Sequence, residues 1–171
     1  MSNTLRRAAI AAALAAFAAT SANAAPVSVS NGPVQAHATI VKPLTLEKQS
    51  DLNFGSIIVW GAGTATIDTA GNISCTATNL VCGANGTPAE YKVTGTNNQV
   101  VTITKPDVVM TNSANPGTDL TLVLNGYGPD DVTLPNSGST GINFKLGGAI
   151  SIPANVKDGV YTGDLNVTVN Y

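Results

Sequence analysis

The chain ends in the alternating stretch Gly159-Val-Tyr-Thr-Gly-Asp-Leu-Asn-Val-Thr-Val-Asn-Tyr171. From residue 161 onward the odd positions are apolar apart from one glycine, and the even positions are polar. Side chains of a β-strand alternate between two faces, so this period of two predicts one continuous strand with a buried and a wet face. Its inward positions are Tyr161, Gly163, Leu165, Val167, Val169 and Tyr171, and the last tyrosine is expected to anchor the strand.

The chain before this stretch is a series of short apolar runs separated by turn residues. Examples are 64–68, 90–95, 100–104, 120–124 and 142–146, with Asn, Gly and Pro between them. No stretch after residue 25 keeps a helical period over three turns. Many short strands with turn signals every eight to twelve residues predict an all-β sandwich or barrel.

The first 24 residues have the features of a signal peptide. Arg6 and Arg7 precede the apolar run 8–19, and small residues stand at Ala22 and Ala24 before the expected cleavage. Such a run is too short to cross a bilayer, so we expect no membrane insertion. The protein is expected to be exported through the inner membrane and to pass through the periplasm to the cell surface.

Charge is sparse and acidic in the expected mature chain, residues 25–171. Six lysines and no arginine face ten aspartates and glutamates, which gives a net charge of −4. A nucleic acid or an anionic membrane needs a basic surface, so neither is an expected partner.

Two cysteines, Cys75 and Cys82, are separated by six residues. In an exported protein this spacing favours a structural disulfide, with the chain returning as a hairpin. A zinc site or a reactive thiol is less well supported, because no histidine or further cysteine lies nearby.

The remaining candidates for chemistry are isolated. His37 has no Ser, Cys or acid near it, and Asp130-Asp131 is best interpreted as a solvated turn. Trp60 is either a sugar platform or a core or rim aromatic. We therefore expect no enzyme activity, no metal and no cofactor.

The mature chain begins with an extended arm, residues 25–37, that has no evident partner strand. Its apolar and small positions are Val27, Val29, Gly32, Val34 and Ala36. Two interpretations remain: a disordered leader, or a donor strand that pairs with another molecule.

Five segments from residue 38 to residue 171 resemble a family of exported bacterial proteins known as domain of unknown function 4402. They are Ala38-Thr-Ile-Val-Lys-Pro-Leu-Thr-Leu46, Asp51-Leu-Asn-Phe-Gly55, Ala89-Glu-Tyr-Lys-Val-Thr-Gly95, Leu146-Gly-Gly-Ala-Ile-Ser-Ile152, and Gly159-Val-Tyr-Thr-Gly163 with Val167-Thr-Val-Asn-Tyr171. The cysteine loop is an addition to this pattern. The family name assigns no activity.

The chain is also similar, more distantly, to chaperone–usher pilins and spore-coat-U-like fimbrial subunits. Their last strand carries a glycine and, twelve residues later, a tyrosine, as do Gly159 and Tyr171; the tyrosine of those pilins is penultimate, whereas here it is last. The resemblance implies that residues 38–171 form an immunoglobulin-like antiparallel β-sandwich lacking one strand. A periplasmic chaperone, an outer-membrane usher and neighbouring copies would be its partners.

Two functions follow as expectations. The first is a structural subunit of a fimbria or pilus, assembled by donor-strand complementation and serving adhesion or biofilm formation. The alternative is a monomeric secreted sandwich that binds a glycan or a surface protein, which requires a cluster of exposed aromatic residues; Trp60 and Tyr127 are the only candidates.

Overall fold

The computed structural model describes residues 31–76, 78–84 and 86–171. The expected signal peptide and the start of the arm, with Val27 and Val29, lie outside the described residues. Within them the chain is all-β, and no helix has the length and apolar character needed to cross a bilayer. Residues 39–171 form one compact unit, and residues 31–38 belong to the preceding one.

Fourteen strands are assigned in the described residues. They are β1 (Thr45–Ser50), β2 (Ile57–Val59), β3 (Gly63–Ile67), β4 (Ile73–Cys75), β5 (Leu80–Cys82), β6 (Ala89–Thr94), β7 (Val100–Thr104), β8 (Val108–Asn112), β9 (Leu120–Val123), β10 (Asp131–Thr133), β11 (Ile142–Leu146), β12 (Gly148–Ile152), β13 (Tyr161–Thr162) and β14 (Thr168–Asn170). The predicted bounds of β7 and β11 are confirmed, because turn residues flank a clean alternation in both.

All the strand pairings are antiparallel, and the fold is a β-sandwich as predicted. One sheet has six strands in the order β13-β8-β9-β12-β3-β4. Two three-stranded sheets, β1-β6-β11 and β10-β7-β14, and the two-stranded ribbon β2-β5 complete the described strands.

The core consists of two hydrophobic clusters. The first is built mainly on the six-stranded sheet, from Phe54, Ala65, Ile67, Leu80, Val108, Leu122, Leu124, Ile150 and Ile152. The second belongs to the three-stranded sheets, from Ala89, Tyr91, Val93, Val101, Ile103, Leu134, Phe144 and Leu146. Leu52 and Leu165 pack against both clusters and so join them.

Cys75 and Cys82 form a disulfide, with their Cα atoms 5.8 Å apart. The predicted hairpin between them is wrong. β4 pairs with β3, and β5 pairs with β2. The bond therefore joins the edge of the six-stranded sheet to the ribbon β2-β5.

The prediction of one continuous C-terminal strand is also wrong. β13 pairs with β8, whereas β14 pairs with β7 of another sheet. Residues 163–167 between them belong to neither ladder. The C-terminal segment, residues 159–171, thus crosses from one layer of the sandwich to the other.

Candidate functional site

The C-terminal segment keeps its alternation, but its inward face is only half covered. The odd positions from Tyr161 to Val169 are half-buried, and the even positions are exposed. In β6, by comparison, the inward residues Ala89, Tyr91 and Val93 are 1%, 8% and 0% exposed. The predicted faces are therefore present, while part of the expected cover over the segment is missing.

An open groove accounts for the missing cover. Its wide section has a volume of about 580 Å³ and lies between residues 52–59 and residues 156–161. Four apolar side chains from three strands also line it: Met110, Leu120, Ile150 and Ile152. Because Phe54, Ile150 and Ile152 belong to the first core cluster, the groove lies along an open flank of that cluster.

A narrow section of about 350 Å³ continues the groove toward β1. Residues 48–52 line one side and residues 161–165 the other, with Tyr91 and Leu122 among the remaining lining residues. Four residues, Leu52, Phe54, Met110 and Tyr161, line both sections. The two sections therefore form one groove beside the C-terminal segment.

The Tyr171 side chain links the end of the segment 159–171 to Lys42, three residues before β1. Its hydroxyl donates a hydrogen bond to the Lys42 carbonyl oxygen over 2.6 Å and accepts one from the Thr96 N–H over 2.7 Å. The Lys42 N–H in turn donates to Thr96 Oγ1. A Cβ on Gly95 would lie 2.5 Å from the Tyr171 hydroxyl, so this glycine makes room for it. These contacts hold Tyr171 through its hydroxyl, whereas the tyrosine as a whole is 42% exposed rather than inward as the alternation predicted.

At the other end of the segment, buried Asn112 holds the loop before β13. Its carboxamide nitrogen donates to the Asp158 carbonyl oxygen over 3.0 Å, and its oxygen accepts from the N–H groups of Ala114 and Asn115. The Asn115 side chain also donates to the Asp158 carbonyl. Gly159, at φ +139°, lies so close to Asn112 that a Cβ would be 2.4 Å from Nδ2. These contacts fix residues 158 and 159, which line the wide section.

Gly163 brings the segment against β8 beside the narrow section. A Cβ there would lie 2.7 Å from Val108 Cγ1 and 2.8 Å from the Val109 carbonyl oxygen. Any larger residue would therefore push the segment away from β8. This steric requirement explains the glycine in an otherwise apolar row.

The rim of the narrow section carries one ion pair. Lys48 Nζ lies 2.9 Å from Asp51 Oδ1, with both side chains largely exposed, and this hydrogen bond raises the pKa of Lys48. Below the rim, burial raises the pKa of Tyr91, whose ring stacks on Phe144 with centroids 5.6 Å apart. The groove is thus lined by apolar core side chains and also by charged residues, which are Lys48, Asp51, Lys157, Asp158 and Asp164.

Of the predicted arm, Gly32, Val34 and Ala36 lie within the described residues. All residues from 31 to 43 are exposed and belong to no strand, and Val34 and Ile40 are each 88% exposed. Gly32 has a φ of +87°, a left-handed conformation that interrupts an extended chain. The arm and the C-terminal segment are the two predicted sites that lack full apolar cover.

The sequence did not predict that residues 51–59 line one side of the groove, because that stretch has no sustained periodicity. It also missed Asn112 and Lys105, two polar residues that are buried. The turn residues after Asn112, Ser-Ala-Asn-Pro-Gly117, were the available signal, since an Asn side chain often caps such a turn. His37 is exposed, and the described residues contain no group of three acids, histidines or cysteines arranged for a metal ion.

Comparison with protein families gives one match. The family model for the domain of unknown function DUF4402 matches residues 44–171. The chain belongs to the DUF4402 family. The predicted resemblance is confirmed over this range, which excludes the first six residues of the Ala38–Leu46 segment. Searches of curated proteins and of solved structures find no match.

Proposed function

We propose that this DUF4402 protein is a structural subunit of a bacterial surface fibre, assembled by donor-strand complementation of an immunoglobulin-like sandwich. The observation that carries the proposal is the open groove beside the C-terminal segment. Core side chains line it, and the segment that forms its edge is only half-buried on its inward face.

The edge of the groove is long enough for one added strand. Residues 159–165 along its edge span about 20 Å at roughly 3.3 Å per residue, the length of a six- or seven-residue donor. β1 is the last strand of its sheet on the other side, and residues 163–167 belong to no ladder. Unpaired backbone groups on both sides favour the addition of a strand.

The arm supplies a matching donor. Val34, Ala36, Ala38 and Ile40 alternate with Gln35, His37 and Thr39, and no glycine or proline interrupts residues 34–42. Val27 and Val29 are in the opposite phase, and Gly32 and Pro33 separate the two runs. One unbroken strand cannot place both runs on the same face, so we assign the donor to residues 34–40.

The Lys42 contacts favour donation to a neighbouring copy. Both backbone groups of Lys42 are held, by Thr96 and Tyr171, at the end of β1 away from the groove. Because Lys42, two residues after the donor, is held away from the groove, we favour insertion of the donor into the next subunit over insertion into the same domain.

The proposal also predicts which proteins would bind the subunit before it polymerises. A donor strand adds several hydrogen bonds, each contributing about 1 kcal/mol, and buries apolar side chains at roughly 1.5–3 kcal/mol each. Before polymerisation the same groove exposes apolar surface, so a periplasmic chaperone and an outer-membrane usher are the expected partners. Adhesion or biofilm formation at the cell surface is the expected role.

The test compares mature protein, residues 25–171, with a version that starts at residue 42. Gel filtration and negative-stain microscopy should show polymers only for the longer protein. A peptide of residues 33–41 should raise the melting temperature of the shorter one, and the same peptide with Val34→Asp and Ile40→Asp should not. Polymers without the arm, or no stabilisation by any arm peptide, would refute the proposal. Stabilisation by residues 25–31 alone would move the donor to that segment.

A further inference from the structure

The ribbon β2-β5 presents an exposed face away from the groove. Ile58 pairs with Val81 across the two strands, and the two residues are 55% and 46% exposed. Trp60, 70% exposed, follows on the same side and lies opposite Asn79, whose carbonyl oxygen accepts a hydrogen bond from the Trp60 N–H over 2.8 Å. We call these four residues the ribbon face. Trp60 is thus neither a core nor a partly covered rim aromatic.

The ribbon face is held on a fixed support. The Cys75–Cys82 disulfide ties β5 to the edge strand of the six-stranded sheet, and the Gly83 N–H donates to the Ser56 carbonyl over 2.8 Å. The inward side chain of Leu80 is buried in the first core cluster. A ligand would therefore meet a surface that needs little ordering on binding.

Gly61 leaves room for the Asn79 carboxamide at the end of the ribbon. A Cβ at this position would lie 2.9 Å from Asn79 Nδ2 and 3.1 Å from Asn79 Cβ and Cγ. Because Gly61 has none, the exposed Asn79 side chain lies against the Gly61 backbone. Trp60 and Asn79 are paired through the Trp60 N–H, so the ribbon face carries both a flat aromatic surface and a group that donates and accepts hydrogen bonds.

The surrounding sequence carries almost no charge. Residues 52–67 and 69–89 contain no Asp, Glu, Lys, Arg or His, which leaves Asp68 as the single ionisable group between Asp51 and Glu90 apart from the disulfide cysteines. An anionic or cationic ligand would find no counter-charge in either strand. A neutral ligand fits this composition.

We propose that the ribbon face binds a neutral glycan, with a hexopyranose ring stacked on Trp60 and its hydroxyls bonded to Asn79. The C–H bonds on one face of a pyranose form an apolar surface that matches an indole, and neighbouring hydroxyls match a carboxamide. Stable protein–protein interfaces bury about 800 Å² per partner, more than a ribbon of two three-residue strands presents, so a second copy fits less well. The inference is independent of fibre assembly. In a fibre, many copies of one weak site would gain about 100- to 10,000-fold in avidity.

Trp60 is the sole tryptophan of the chain, so its fluorescence reports this site directly. The mature protein is titrated with cello-, manno-, galacto- and chito-oligosaccharides, which separate the possible sources of a neutral hexopyranose. We expect one series to shift Trp60 emission saturably, and Asn79→Asp to weaken that binding about three- to tenfold. Val109→Ser is the matched control, since Val109 is 60% exposed on β8. It should bind as the wild type does.

Trp60→Ala, followed by saturation-transfer NMR of the bound sugar, should abolish the signal. Thermal melts of both ribbon variants show whether the fold is kept, and Ile58→Ser serves as a second ribbon variant if either fails to fold. No emission change with any of the four series would overturn the proposal. Equal sugar binding by Trp60→Ala would also overturn it. A concentration-dependent emission shift that occurs without sugar and coincides with dimerisation would overturn it as well, and would assign the ribbon face to contacts between copies.

Discussion

The hydroxyl of Tyr171 lies 2.6 Å from the carbonyl oxygen of Lys42, a residue 129 positions earlier in the chain. This hydrogen bond joins the last residue to the segment just before β1 and just before the residues that the DUF4402 model matches. It acts together with Thr96, whose N–H and hydroxyl both contact the same group. The hydrogen bond therefore lies before the first residue of β1, and the narrow section of the groove lies at the other end of that strand.

Tyr171→Phe should keep the ring and lose these hydrogen bonds. Because the groups are partly exposed and water can replace the hydroxyl, we expect a loss of about 1–2 kcal/mol in the free energy of unfolding, measured by urea denaturation. Thr96→Val should be non-additive with it, since the two residues share one network. Full additivity in the double mutant would contradict a shared network.

Asn112→Ala should lower the free energy of unfolding much more than the loss of an exposed asparagine would. The substitution leaves the N–H groups of Ala114 and Asn115 without their partner and removes one of the two donors to the Asp158 carbonyl, at a cost of about 2–3 kcal/mol. Asn143→Ala is the matched control, because Asn143 is exposed and donates to Glu90 over 2.9 Å. Its cost should stay within about 0.5 kcal/mol. Equal losses in the two variants, by urea denaturation, would show that burial of Asn112 is unimportant.

Lys105 should contribute more to the stability of the fold than Asp130, its partner in the ion pair. Its side chain is 4% exposed, and Nζ donates to the carbonyls of Gly128 and Pro129 and to Asp130 Oδ1. Lys105→Met leaves two carbonyls unpaired, so we expect a loss of about 2–3 kcal/mol. Asp130 is 85% exposed, so Asp130→Asn should cost at most about 1 kcal/mol. Thermal and urea denaturation of both variants measure the difference. The reverse order would mean that the ion pair, not the carbonyl contacts, dominates.

Acid should weaken the turn between β3 and β4. Hydrogen bonds from the Asn72 side chain and backbone, followed by weaker ones from Ala70 and Gly71, lower the pKa of Asp68 from 3.8. A carboxyl with a lowered folded-state pKa stabilises the fold above its unfolded value and loses this contribution as pH falls through the folded value. Stability measured from pH 6 to pH 2 should therefore fall less steeply below pH 3.8 in Asp68→Asn than in the wild type. Identical slopes would remove Asp68 from the acid response.

Local pattern predicted much of the fold. β7 and β11 were bounded correctly because an alternation of five residues lies between turn signals in each. The alternation also predicted the two faces of residues 161–170, although Tyr171, predicted to face inward, is exposed. It could not predict that β13 and β14 pair with different sheets, because periodicity specifies a face and not a partner strand.

The groove and its supports needed the three-dimensional structure. The six residues between Cys75 and Cys82 suggested a hairpin, yet each cysteine strand found a partner elsewhere. Asn112 and Lys105 are polar residues at strand ends, where exposure is the usual outcome. Their burial depends on the surrounding carbonyl and N–H groups that hydrogen-bond to them, and these are brought together only by the fold.

The hold on Lys42 also determines how this domain would bear a load. Tension that reached Lys42 would next load β1, which pairs with β6 over residues 45–50. Pulled lengthwise, the hydrogen bonds of that ladder are strained together rather than opened one after another. The hydrogen bond from Tyr171 to Lys42 connects residue 171 to the same load-bearing position. A fibre built through this arm would therefore resist shear at every subunit, with the strength of each link set by β1.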